Sequence, residues 1–220
     1  MSEVIITVRG EHARCEAPEE AIVGMSVRVD GPDRGAVVEQ VSALAAPLRA
    51  DLTARAADGA VREWSSRQVS VWAQRPWNEQ GNQLPLVHTA AVELSATFTD
   101  FPALSSWLTR IAEIEGVHVD SVQWRLTRET AAATQAEVAA AAVRDAIERA
   151  TAYASALGRA AVTPLEIADA GLLSRGDAGG PEILRMAKAS FAADAGGPVL
   201  ELRPEAVAVR AAVEGRFTAR

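Results

Sequence analysis

The stretch from about Thr127 to Leu157 constrains the fold more than any other part of this chain. It is dominated by alanine, the residue with the highest helix propensity, and Gly158 supplies a C-terminal stop. Val143, Ile147, Ala150, Ala154 and Leu157 trace an apolar stripe at helical spacing. Asp145 and Arg149 stand four residues apart, acid first, the favoured order for a pair on one helix face. A helix clothed mainly in methyl groups is thin. It is stable in a globular chain when it lies close against a sheet or a second helix.

Alternating segments supply the sheet. The clearest closes the chain: Val207, Val209, Ala211, Val213 and Phe217 alternate with Arg210, Glu214 and Arg216. Val4, Ile6 and Val8 predict a first strand ending near Gly10, and Val23, Met25, Val27 and Val29 a second. After the turn Asp30-Gly31-Pro32-Asp33, with Pro32 placed in the first helical turn, Val37, Val41, Leu44, Leu48 and Leu52 predict a helix ending at Asp58-Gly59. A third strand carries Val69, Val71 and Ala73. A loop or hairpin tip follows at Arg75-Pro76-Trp77-Asn78 and Gly81-Asn82. A fourth strand carries Val92, Leu94, Ala96 and Phe98. Asp100 and Pro102 open a second helix with Leu104, Trp107, Leu108, Ile111 and Ile114, closed by Gly116. Val122, Trp124 and Leu126 mark a fifth strand, and Thr163-Pro164-Leu165 begins another.

Three pairs of successive strands lack an intervening helix. The expected fold is therefore α+β, a mostly antiparallel sheet packed against a long Ala-rich helix and two shorter ones, in a single domain over residues 1–220. Residues 174–197 form a Gly-rich insert between Gly179-Gly180-Pro181 and Gly196-Gly197-Pro198, expected to be mobile.

Charge and composition narrow the function. The net charge is −7 and a single lysine, Lys188, is present, which argues against nucleic acid as a partner. One cysteine, Cys15, excludes an intrachain disulfide. The start Met1-Ser2-Glu3-Val4 has no basic segment or apolar run, and no stretch approaches the roughly 20 apolar residues of a membrane span. The expected location is cytoplasmic.

The chemistry-bearing residues do not converge. His118 and Asp120 share a strand face by alternation, together with Val122 and Trp124, but three or four ligands are the norm for a metal site and no third is evident. Cys15 has His12 three residues upstream without a nucleophile signature around it, and reads as a neutral thiol. Ser65-Ser66 and Ser105-Ser106 lack a nucleophile elbow. Gly176, Gly179 and Gly180 lack the spacing of a phosphate cradle. No catalytic, cofactor-binding or metal residues are assigned, and no cofactor is expected.

The order of elements resembles the SIMPL family. Gly10 and Pro18-Glu19 carry the likeness, followed by Arg75-Pro76-Trp77 before a strand near His88 and Gly116-Val117 before the strand ending at Leu126. Ala141-Ala142-Val143-Arg144-Asp145-Ala146 continues it, and Arg203-Pro204-Glu205 precedes the closing strand. Glu19 stands where the family usually has aspartate, and many bacterial members carry an export signal. The resemblance implies an α+β fold without established catalytic residues and self-association in bacterial members. It also implies loose links to stress protection and, in animal members, an adaptor role in kinase signalling. The resulting expectation is a non-enzymatic, homo-oligomeric protein whose partner is itself. Ile183, Leu184, Met186, Phe191 and Trp77 are the candidate oligomer contacts, and the closing strand 207–217 is a candidate open edge. The alternatives are a small-molecule binder or enzyme with a sheet–helix pocket, and a protein-interaction adaptor.

Overall fold

The computed structural model describes residues 3–173 and 202–220. The elements in chain order are β1 (Val4–Glu16), β2 (Glu20–Gly31), α1 (Arg34–Ala57), β3 (Val61–Ser66), β4 (Ser70–Gln74), β5 (Val87–Phe98), α2 (Phe101–Ala112), β6 (Val117–Arg125), α3 (Arg128–Ala156), β7 (Val162–Asp169) and β8 (Val207–Ala219). All strand pairs are antiparallel. The fold is α+β, as the alternation and the alanine helix predict. The chain divides into two compact units, the second inserted between β1 and α3 of the first.

The first unit is a three-stranded sheet in the order β1-β8-β7, with α3 on one face. The closing strand β8 is central, paired with β1 along its whole length and with β7 from Val213 to Ala219; among the described residues, 207–211 have no strand partner on the β7 side. The closing strand is thus flanked on both sides only over its second half, because position at a chain end says nothing about sheet order. β1 also continues past Gly10 to Glu16. Glycine there does not end the strand; it admits the helix. A Cβ on Gly10 would lie 2.1 Å from the carbonyl oxygen of Ala142 and 2.5 Å from the amide nitrogen of Ala146. The buried stripe of α3 is accordingly Val138, Ala142, Ala146, Ala150 and Ala154. The larger Ile147 and Leu157, placed on the stripe by hydropathy alone, are exposed. Against a glycine-notched strand the methyl face packs more closely than the bulky one.

Asp145 and Arg149 do not pair with each other along the helix. Asp145 Oδ2 accepts the Glu11 N–H at 2.9 Å and Arg149 Nη1 donates to the Arg9 carbonyl at 2.5 Å, on either side of Gly10. These side chains occupy backbone groups on β1 that another strand would need. The other edge strand, β7, carries Pro164, which has no N–H, and a register shift between Pro164 and Glu166. β1 near Gly10 and β7 near Pro164 are thus blunted against strand addition.

Of the described residues, the second unit comprises Pro18–Arg125 and 202–205. Its sheet runs β3-β5-β2-β6, with β4 continuing the β3 edge along β5. The order of strands and helices is the split βαβ arrangement. Asp33 and Asp100 cap α1 and α2, accepting the Ala36 and Ala103 N–H groups at 2.8 and 2.9 Å. Pro32 lies just before the α1 cap and outside the first turn. Val37, Val41, Leu48 and Leu52 of α1 and Leu104, Trp107, Leu108 and Ile111 of α2 bury against Val23, Met25, Val27, Val92, Leu94 and Phe98. β3 carries little alternation because its register shifts between Val61 and Glu63, which breaks the period of two.

Asp51 ties α1 to α2. Its Oδ2 accepts from Trp107 Nε1 at 2.5 Å, Arg110 Nη2 at 2.5 Å and Arg55 Nε at 3.3 Å. Burial alone would raise its pKa. The hydrogen bonds from Arg110 and Trp107 and the charges of Arg55 and Arg110 outweigh burial, and the pKa falls below the ordinary carboxylate value. With a folded pKa below the unfolded one, Asp51 stabilises the fold above the unfolded value of about 4 and loses that contribution as pH falls through the folded pKa. Asp51→Asn should lower stability at neutral pH by about 1 kcal/mol, discounted for partial exposure, with the deficit shrinking in acid. Urea midpoints at the two pH values check this. A pH-independent deficit would remove the carboxylate charge from the account.

Candidate functional site

The most distinctive surface lies between β4 and β5. Pro76 and Pro85 withhold backbone N–H groups on the two arms of this connection. β4 and β5 pair as far as Gln74 and Val87, and an isolated bridge then joins Trp77 to Gln83. Asn78 organises the tip: its N–H donates to the Asn82 carbonyl at 2.9 Å, and its Oδ1 accepts from the Gln80 and Asn82 N–H groups at 3.1 and 2.8 Å. Gly81, at φ 76°, takes the left-handed position that closes the turn. The Leu84 N–H donates to the Pro76 carbonyl at 2.8 Å.

Residues 75–86 therefore form a hydrogen-bonded tongue. It presents Trp77, 67% exposed, together with exposed Leu84 and Leu86. On β4, near the base of the tongue, the Arg28 guanidinium lies 5.4 Å from the centre of the exposed Trp72 ring. Of the five sequence-selected contacts, Trp77 is exposed on this tongue; Ile183, Leu184, Met186 and Phe191 lie outside the described residues.

The other candidates separate. A register shift in the β2–β6 ladder gives Gly24 opposite Ser121 and Met25 opposite Val119, so Asp120 is the extra residue. That bulge reverses the alternation: His118 and Asp120 are exposed, whereas Val122 and Trp124 are buried. The shared face predicted for all four does not exist, and Asp120 Oδ1 accepts from Ser26 Oγ at 3.2 Å. Cys15 is exposed, and its odd spacing from His12 on β1 sends the two side chains to opposite faces. Trp107 is core, as its helix spacing predicts. Among the described residues no three His, Cys, Asp or Glu side chains form a metal-binding group. No helix among them is long and apolar enough to cross a membrane.

A feature that strand and helix patterns did not reveal is a cleft of about 170 Å³ between the end of β1 and the first half of α3, lined by His12, Arg14, Glu137, Val138, Ala141 and Arg144. Its lining emerges only when β1 is extended past Gly10 and laid against α3.

The SIMPL family, described as a protein of unknown function (DUF541), has a profile that matches residues 6–217. The chain belongs to the SIMPL family. The match runs from β1 to β8 and so spans both units. No curated protein matches the sequence. The SIMPL description assigns no activity, and the reading of function rests on the surfaces just described.

Proposed function

We propose that this SIMPL protein works as a non-catalytic homo-oligomer, in which the tongue of one copy docks on the β7 surface of the next. The observation that carries the reading is the pre-ordered tongue holding Trp77 out to solvent. Tryptophan is enriched in binding hot spots. A loop already fixed by its own hydrogen bonds loses little further entropy when it binds. The first unit offers a matching apolar surface around β7, with Leu165, Ile167 and Leu172 52%, 44% and 73% exposed.

Donor and acceptor surfaces differ, so the contact is heterologous and closes as a ring if the rotation permits. The blunting of β1 and β7 favours side-chain docking over strand addition at the first unit's sheet. Trp77→Asp with Leu84→Asp should convert the oligomer to monomer in size-exclusion with light scattering, and so should Leu165→Asp with Ile167→Asp. Each double variant keeps one intact surface, so a mixture of the two should form one-to-one pairs. Variants that stay oligomeric, or mixtures that stay monomeric, would refute tongue-to-β7 docking.

A further inference from the structure

Beyond β7 the chain leaves the sheet in a turn whose amide groups are all bonded. The Ala170 N–H donates to the Ala212 carbonyl at 3.3 Å, the last contact of β7 and its extension with β8. Gly171, at φ 87°, takes the left-handed conformation that steers the chain away from β8. Its N–H donates to Glu214 Oε1 at 3.0 Å, and the Leu173 N–H donates to Glu214 Oε2 at 3.1 Å. Between them the Leu172 N–H donates to the Asp169 carbonyl at 3.1 Å. Glu214 is 8% exposed, and alternation puts it on the face of β8 opposite Val213 and Phe217, which pack with the alanines of α3. One nearly buried carboxylate thus grips two amides of the turn, and hydrogen bonds to an ionised acceptor are the strong ones. What the grip holds out to solvent is apolar: Leu172 is 73% exposed, more than either Leu165 or Ile167 on β7.

We propose that Leu172 is the anchor of the β7 docking surface and that Glu214 is its positioning residue, fixing the turn so that Leu172 meets the Trp77 ring of the next copy. The assignment rests on tongue-to-β7 docking. The two surfaces are built alike. On the tongue, Asn78 Oδ1 accepts from two backbone N–H groups, Gly81 takes the left-handed position and Trp77 is held in water. On the receiving side, Glu214 accepts from two backbone N–H groups, Gly171 takes the left-handed position and Leu172 is held in water. A turn fixed before contact loses little entropy on docking, so each half is ordered in advance. Binding hot spots tend to pair with hot spots on the partner, which matches one exposed anchor with the other. A carboxylate suits the role because both its oxygens accept. Glutamine would offer one acceptor oxygen and turn an N–H group toward the second amide.

The test is light scattering on the full chain through a dilution series, read as the concentration at which half the assembly dissociates. Leu172→Asp, a surface change, should raise that concentration at least tenfold. Ile5→Asp, at an equally exposed apolar position on the far edge strand β1, should leave it unchanged. Glu214→Gln should raise it at least tenfold, and so should Gly171→Ala, which strains the turn without touching the carboxylate. Hydrogen exchange on Glu214→Gln should speed up at least tenfold at the Gly171 and Leu173 amides while the β1–β8 ladder keeps its protection, which separates loss of the grip from general loosening. If Leu172→Asp assembles like wild type while Leu165→Asp with Ile167→Asp dissociates, the anchor is refuted and docking on β7 stands. Equal dissociation in Ile5→Asp also refutes the anchor. A monomeric wild type, or a Leu165–Ile167 variant that stays assembled, overturns the docking reading and the anchor with it. Wild-type assembly in Glu214→Gln or Gly171→Ala, or unchanged exchange at Gly171 and Leu173, overturns the positioning role.

Discussion

Replacing Gly10 with alanine is expected to lower stability by about 3 kcal/mol or more, the upper range for overpacking a well-filled interior. The added methyl would sit 2.1 Å from a backbone oxygen and 2.5 Å from a backbone nitrogen of α3. Side chains can rotate out of such a clash, but two backbone atoms of a helix move only with the helix. Displacing α3 would loosen the packing of Ile6, Val8, Val213 and Phe217 against its alanine face and pull Asp145 and Arg149 from the β1 edge. Gly59→Ala is the matched control. Nothing lies within 4 Å of its added Cβ, and its φ of 80° leaves only the backbone strain of about 1–2 kcal/mol. Thermal unfolding should place the Gly10 variant roughly 6–12 °C below wild type, well below the Gly59 variant. Equal shifts would mean that β1 and α3 are not in such close contact.

Arg125→Met is expected to have a comparable effect by an electrostatic route. Glu20 is only 1% exposed, and its carboxylate is held by Arg62 on one oxygen and by Arg125 Nε at 2.7 Å on the other. The three residues lie on β2, β3 and β6, so one buried carboxylate joins three strands. Removing Arg125 leaves that charge desolvated and half-answered, which costs about 3–5 kcal/mol. Removing the carboxylate too, as Glu20→Met with Arg125→Met, takes away the uncompensated charge and should recover much of the loss. Chemical denaturation of the two variants reads the difference. A double variant less stable than Arg125→Met alone would show that the ion pairs stabilise beyond offsetting their own desolvation.

Gly10 and Glu20 also show how much of the fold was legible from residue patterns. The long helix and most strands follow from propensity and period. What pattern could not reveal depends on contacts between distant segments. Gly10 resembles a strand terminator until Ala142 and Ala146 are placed above it. Ile147 and Leu157 outrank alanine in hydropathy, yet close approach selects the smaller residues. Bulges at Asp120 and near Arg62 each add one residue to a strand, which is enough to reverse a predicted face or conceal a strand. Trp77 was identifiable because Pro76 and Asn78 mark it as a turn residue. The order of its tongue was not, since that rests on hydrogen bonds from Asn78. The His12–Arg144 cleft required the β1–α3 packing itself.

Copies of this SIMPL protein are proposed to assemble through the tongue. The most direct test is the native mass of the unmodified chain by light scattering across a range of concentrations. The account predicts a discrete multiple of 23.2 kDa that persists on dilution into the low micromolar range. A mass of one chain at every concentration would contradict it.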